Sequence, residues 1–190
     1  MDRRNFLALG AAIAAPGLLN AAPVIPRKAP EFTVLLNSGE QILLSSYKGK
    51  ITVVEILLTT CPHCQRCSAV LQQIHQEMGG DKAFSILGAA INPNNLSEAR
   101  MVIPAYVARL GLKFPVGFSP REQAYKFLQA DLNSGPVYMP QLLFLDRELV
   151  IRAQYAGTDD FFLDEEKNIR AKLHELMSGT PHRASAAPRK

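Results

Sequence analysis

The stretch Thr59-Thr60-Cys61-Pro62-His63-Cys64-Gln65-Arg66-Cys67 follows directly on an apolar run at residues 51–58, and this junction constrains the fold more than any other. A β-rich run of that length reads as a buried central strand. A helix is expected next, because proline is accepted in a first turn and Val70, Leu71, Ile74 and Met78 supply one apolar stripe. All three cysteines of the chain lie here, and Cys61 and Cys64 form a C-x-x-C at the turn from strand to helix. That placement suits a redox dithiol. A helix N-terminus presents unpaired N–H groups and partial positive charge, which favour thiolate over thiol at Cys61. The three-residue spacing brings Cys64 back within disulfide reach on the first turn. Zinc sites use the same spacing, but they want a second ligand pair, and the chain has no fourth cysteine.

One residue breaks the central run. Glu55 stands among Val53, Val54, Ile56 and Leu57, six residues before Cys61 and on the same side of the pleat as Val53 and Leu57. A carboxylate there is costly unless it is protonated, paired or put to use. The competing reading is an edge position from which Glu55 reaches water. His63, between the two cysteines, would favour the Cys61 thiolate when protonated; otherwise it is a solvated turn residue. His75, His174 and His182 have no motif around them and read as surface or tail residues.

The N-terminus carries Arg3-Arg4 followed by a short apolar, alanine-rich segment to Leu19, the pattern of an export signal of twin-arginine type over residues 1–22. The segment is short for a membrane span, so any membrane contact would come only through a signal left uncleaved. Export would put the dithiol in an oxidising, extracytoplasmic or periplasmic compartment, where a C-x-x-C can work as a disulfide. Residues 23–30 form a proline-rich lead-in, residues 31–178 a single domain, and residues 179–190 a basic tail of disordered composition. Asp2, Arg3 and Arg4 with the tail residues Arg183, Arg189 and Lys190 account for the whole formal net charge of +4. The domain itself is therefore near neutral, with no basic face for a phosphate backbone, and nucleic acid is not an expected partner.

Within the domain, residues 31–36 and 40–44 read as two strands around the Asn37-Ser38-Gly39 turn. Further strands are expected at 84–91, 114–118, 141–145 and 149–155. Helices are expected at 97–110, irregular at Pro104, at 121–128, and from a cap at Asp159 or Asp160 to about Met177. Alternating strands and helices that close on a hairpin and a helix give an α/β sandwich around a mixed sheet.

The order of strand, Cys-Pro-His-Cys helix, strand and helix, then Met139-Pro140 before Gln141-Leu142-Leu143-Phe144-Leu145-Asp146, resembles the thioredoxin fold. More narrowly, Ala29-Pro30-Glu31-Phe32, the Gly39 turn and Tyr47-Lys48-Gly49-Lys50 resemble the N-terminal β-hairpin of exported TlpA/ResA-like thiol–disulfide oxidoreductases. The resemblance spans roughly residues 30–157. It implies Cys61 as the attacking and Cys64 as the resolving cysteine, and Glu55 as a buried acid that moves the proton of Cys64. It also implies Pro140 as a cis-proline facing the disulfide, with Met139, Pro140 and Pro62 meeting a substrate strand. The implied partners are protein thiols and disulfides together with a redox-partner protein, and no cofactor or metal is implied. This chain departs from that family in three ways. It has no tryptophan before Cys61, its Pro62-His63 dipeptide is that of strongly oxidising DsbA-like proteins, and Cys67 stands where ResA-like proteins often carry a glutamate.

Two other chemistries fit the same residues. Cys61, Cys64 and Cys67 could hold Cu(I) or zinc, although a continuous helix turns Cys61 and Cys67 apart. Thr59-Thr60-Cys61 is also compatible with a thiol peroxidase, a reading that leaves Cys64 idle. Cys67 itself reads either as packing under the site or as an auxiliary thiol that exchanges with Cys64.

Overall fold

The computed structural model describes residues 23–130 and 135–179. The expected export signal at 1–22, residues 131–134 and the tail from residue 180, His182 included, lie outside the described residues.

The apolar run forms strand β4 (Thr52–Leu57), all six residues buried, at the middle of the sheet. It pairs in parallel with β5 (Ser85–Ala90) and antiparallel with β7 (Gln141–Leu145). Beyond β5 come β6 (Val116–Phe118), which is parallel to it, and then the antiparallel hairpin β2 (Thr33–Leu35) and β3 (Gln41–Leu43). Beyond β7 come β8 (Val150–Ala156) and the short edge strand β1 (Arg27–Lys28). The order is β1-β8-β7-β4-β5-β6-β2-β3, a mixed sheet of eight strands. The α/β expectation and the N-terminal hairpin both hold. The proline-rich lead-in does more than connect, since Arg27 and Lys28 pair with Ile151 and Val150.

Period-two alternation divides the core. Val53, Leu57, Ile86 and Phe144 face helices α1 (Pro62–Glu77), α2 (Leu96–Leu110) and α4 (Glu165–Ser178). Val54, Ile56, Leu87 and Leu143 face helix α3 (Arg121–Leu128) and Phe32. A side chain of this size contributes about 1.5–3 kcal/mol when fully buried, so the register that puts each residue on its own face is strongly specified.

Helix α2 runs through Pro104 without interruption. Proline offers no N–H to the Arg100 carbonyl, and Asn37 of the β2–β3 turn approaches that oxygen at 3.5 Å while the Arg100 side chain donates to the Asn37 carbonyl at 3.2 Å. The proline thus helps tie the hairpin to the helix. The last helix starts later than its sequence suggests. A 3-10 turn at Asp160–Asp164 precedes it, and the Asp159 carboxylate accepts from the Ala156 N–H at 2.7 Å and caps no helix. His75 is also not at the surface: it is buried, edge-on to Phe84, with Nε2 3.1 Å from the Phe84 carbonyl and 3.3 Å from Asp81. His174 is exposed, as expected.

Candidate active site

The chain leaves β4 through Leu58 and Thr59, and a polar clamp fixes this exit. Thr59 N–H donates to Asn92 Oδ1 at 2.9 Å, Asn92 Nδ2 donates to Thr59 Oγ1 at 3.0 Å, and Gln65 Nε2 donates to the Thr59 carbonyl at 3.0 Å. Asn92 follows the end of β5, so two neighbouring strand ends and the first turn of α1 are locked together.

Cys61 is the N-cap of α1, with Pro62 at the first helical position. Its Sγ accepts from the Cys64 N–H at 3.4 Å, a bond that aims one orphan donor of the helix at the sulfur. Cys61 is half-buried, whereas Cys64 is fully buried and its Sγ accepts from the Leu58 N–H at 3.5 Å. Burial pushes the Cys64 thiol far above the ordinary value, with the nearby Glu55 charge adding to the shift. The two cysteines are therefore unlike: one can be reached, and the other is held protonated behind it.

Glu55 is 0% exposed, in the middle of β4 between Gly88 and Leu142, so the edge reading fails. Desolvation pushes its carboxyl up to about 8; the Ser68 hydroxyl and the Cys67 thiol oppose the shift, and the Glu165 charge adds to it. Ser68 Oγ donates to Glu55 Oε2 at 2.7 Å, and Glu55 Oε1 is buried with no partner in full hydrogen-bond geometry.

His63 turns toward helix α4 and the turn before it. Its ring packs edge-on to Phe162 at 4.8 Å, and Nε2 lies 3.8 Å from Glu165 Oε2. Burial and the Arg66 charge lower its pKa against the pull of Glu165, so the neutral imidazole is the main form at pH 7. Glu165 also takes Arg66 Nε at 2.8 Å. Opposite, the Met139–Pro140 bond is cis and Pro140 is buried. The pairing of Ile56 with Gln141 sets Pro140 at the same end of the sheet as the Cys61 turn. Gly157 is needed there, because a Cβ at that position would collide with the Met139 carbonyl.

The cysteines do not converge as ligands. Cys67 is fully buried in the core between α1 and the sheet, and among the described residues no group of three or more His, Cys, Asp and Glu side chains is disposed to hold a metal ion. The copper or zinc reading is not favoured.

Of the residues expected from the sequence, Cys61, Pro62, His63 and Cys64 open α1, Glu55 lies buried close to Cys64, and the cis Met139-Pro140 pair stands at the same end of the sheet as Cys61. Ser68, Asn92, Phe162, Glu165 and Tyr106, whose hydroxyl lies 2.6 Å from Ser68 Oγ, carry no motif and reach these residues only through tertiary contacts.

A buried acid beside a strand-to-helix dithiol, on this sheet order, marks the chain as a thioredoxin-fold thiol–disulfide oxidoreductase. The chain belongs to the AhpC/TSA family, which residues 25–154 match. It is 23% identical over 137 residues to the thiol-disulfide oxidoreductase ResA of Geobacillus kaustophilus, covering 72% of each chain. It is 33% identical over 107 residues to "Probable glutathione peroxidase 8-B" of Xenopus laevis, covering 52% of this chain and 51% of that protein. The solved structure of a secreted thiol-disulfide isomerase from Corynebacterium glutamicum superposes with a TM-score of 0.64 at 17% identity, covering 87% of this chain and 96% of that one. That last likeness bears on the fold alone.

Proposed function

We propose that this protein is an exported thiol–disulfide oxidoreductase in which Cys61 attacks and Cys64 resolves. The observation that carries the assignment is the asymmetry of the pair, a half-buried Cys61 at a helix N-terminus and a fully buried Cys64 behind it. The Cys61 thiolate attacks one sulfur of a substrate disulfide, forming a mixed disulfide and releasing the other sulfur as a thiolate that takes a proton from water. Cys64 then gives its proton to Glu55 and attacks Cys61 Sγ. The Cys61–Cys64 disulfide forms, the second substrate sulfur leaves as a thiolate that takes a proton from water, and two electrons have passed to the substrate. A redox-partner protein returns the pair to its dithiol form by the reverse exchange, with Glu55 returning the proton.

Glu55 suits this task because its raised pKa lets it both accept and return a proton near neutral pH. Met139 and Pro140, with Pro62, form the wall against which a substrate strand would lie. His63, kept neutral by burial and the Arg66 charge, shapes that surface and adds positive charge only under acidic conditions. Residues 1–22 would carry the protein out of the cytoplasm, a reading supported by Arg3-Arg4 and the following apolar segment. Fusing that segment to a reporter that is active only after export tests it.

The activity is tested by disulfide reduction of insulin with dithiothreitol as donor. The wild-type protein is expected to accelerate the reaction and Cys61→Ser to abolish the acceleration. Turnover of hydrogen peroxide with no exchange on protein disulfides would replace this reading with the peroxidase one.

A further inference from the structure

A buried chain of hydroxyl groups joins Glu55 to helices α1 and α2, and the exchange steps above make no use of it. Ser68 Oγ lies 2.7 Å from Glu55 Oε2 and 2.6 Å from Tyr106 Oη, and Tyr106 Oη lies 3.3 Å from the Cys64 carbonyl oxygen. Ser68 is 0% and Tyr106 2% exposed, so water cannot replace a lost partner.

Each hydroxyl has one hydrogen to give, so the direction of the chain follows the protonation state of Glu55. With Glu55 ionised, Ser68 must donate to the carboxylate, and Tyr106 donates to Ser68. The Cys64 carbonyl then receives nothing from Tyr106. With Glu55 protonated, the carboxyl hydrogen can go to Ser68 Oγ, the Ser68 hydrogen to Tyr106 Oη, and the Tyr106 hydrogen to the Cys64 carbonyl. In both states the Glu55–Ser68 and Ser68–Tyr106 links are made, with opposite direction, and the protonated state adds the bond from Tyr106 to the Cys64 carbonyl.

We propose that Ser68 and Tyr106 are positioning residues that form a reversible relay, inverting its hydrogen bonds whenever Glu55 gains or loses its proton. The proposal rests on the reading of Glu55 as the acid that exchanges a proton with Cys64. A buried carboxyl working in that way must be tolerated in both forms. A single fixed donor would serve one form and leave a clash or an unpaired group in the other. The groups facing Glu55 are Cys64, Cys67 and Ser68 of α1, Tyr106 of α2 and Glu165 of α4, while its partners in β5 and β7, Gly88 and Leu142, are uncharged. Of these, Tyr106 is the side chain hydrogen-bonded to the far side of Ser68.

The chain has five tyrosines and no tryptophan, so near-ultraviolet absorption reports tyrosine hydrogen bonding without interference. In the reduced protein a tyrosine difference signal is expected to follow the Glu55 carboxyl titration, monitored in parallel by its infrared band, below the range near about pH 10 where tyrosines ionise. Glu55→Gln should abolish the signal, and so should Tyr106→Phe. In stopped-flow resolution of a mixed disulfide, Ser68→Ala is expected to move the pH profile upward, because the charged form loses its donor. The rate near pH 7 should fall about three- to tenfold and converge with wild type at alkaline pH, with Tyr106→Phe shifted in the same direction by less. A tyrosine spectrum that stays constant while Glu55 titrates overturns the relay, as does an unmoved pH profile in a folded Tyr106→Phe. If Tyr106→Phe does not fold, the wild-type and Glu55→Gln spectra decide alone. The spectrum needs no turnover. A titrating tyrosine signal in a protein without exchange activity would therefore reject the proposed function and keep the relay, and the opposite pair of results would reject only the relay.

Discussion

On strand β4, Val54 and Ile56 enter a layer beneath α3 whose companions are apolar: Phe32, Leu87, Phe127 and Leu143 among them. The buried polar residues that β4, β5 and β7 turn to that side, Thr52, Ser85 and Gln141, each sit at the first position of a strand. Val53, Glu55 and Leu57 enter the opposite layer, and there a carboxylate stands in mid-strand with Ser68 and Tyr106 built against it. The α3 layer can be understood as packing alone. The α1 layer cannot, because burying Glu55 costs stability that a leucine would not, and the cost falls beside Cys64.

The sharpest way to break this contrast is to move the acid. Ile56→Glu places a carboxylate one residue away but on the α3 face, where no hydroxyl chain awaits it. It is expected to lose at least about 4 kcal/mol of stability, measured by urea denaturation, and in practice not to fold. A well-folded Ile56→Glu would mean that the α1 layer is not specially prepared for Glu55.

Phe127→Ala tests the other half. It should cost about 3–5 kcal/mol through the cavity left against Phe32, yet leave the exchange rate per folded molecule unchanged at low temperature. A changed rate would show that the α3 layer also feeds the site.

Glu55→Gln should change how stability depends on pH. The folded carboxyl titrates near about 8 and an unfolded one near about 4.3, so the native state holds the proton more tightly. The stabilisation this gives is complete below the unfolded value and is lost as pH rises through the folded one. Wild type should therefore lose stability between about pH 5 and pH 9, by on the order of a few kcal/mol, while Glu55→Gln stays nearly flat across that window. Parallel curves would mean that Glu55 is ionised throughout. The smallest effect is expected at Cys67, whose buried thiol is raised well above its ordinary value chiefly by desolvation. Cys67→Ala should cost about 1 kcal/mol and leave the reduction potential of the Cys61–Cys64 pair unchanged.

Much of this organisation is legible in the sequence because it is local. The apolar run, the C-x-x-C and its proline mark the strand-to-helix turn, and the helix at Arg121–Leu128 and the strand at Gln141–Leu145 have the bounds their patterns imply. Glu55 is visible as an anomaly for the same reason. Its environment is not. Ser68 is an ordinary helical serine and Tyr106 an ordinary apolar-face aromatic until α1 and α2 pack on β4. The Arg27–Lys28 strand is two residues long and prolines flank the segment, so pattern cannot find it. His75 looks polar in sequence but pairs with a backbone carbonyl nine residues on.

The central claim is that Cys61 alone meets the substrate while Cys64 waits behind it. Incubating reduced Cys64→Ser with a disulfide-bonded protein substrate and mapping the adduct by mass spectrometry tests this directly. A stable mixed disulfide at Cys61, with Cys67 unmodified, is the result the structure predicts. An adduct at Cys67, or substrate released at the wild-type rate, would contradict the assignment of the two roles.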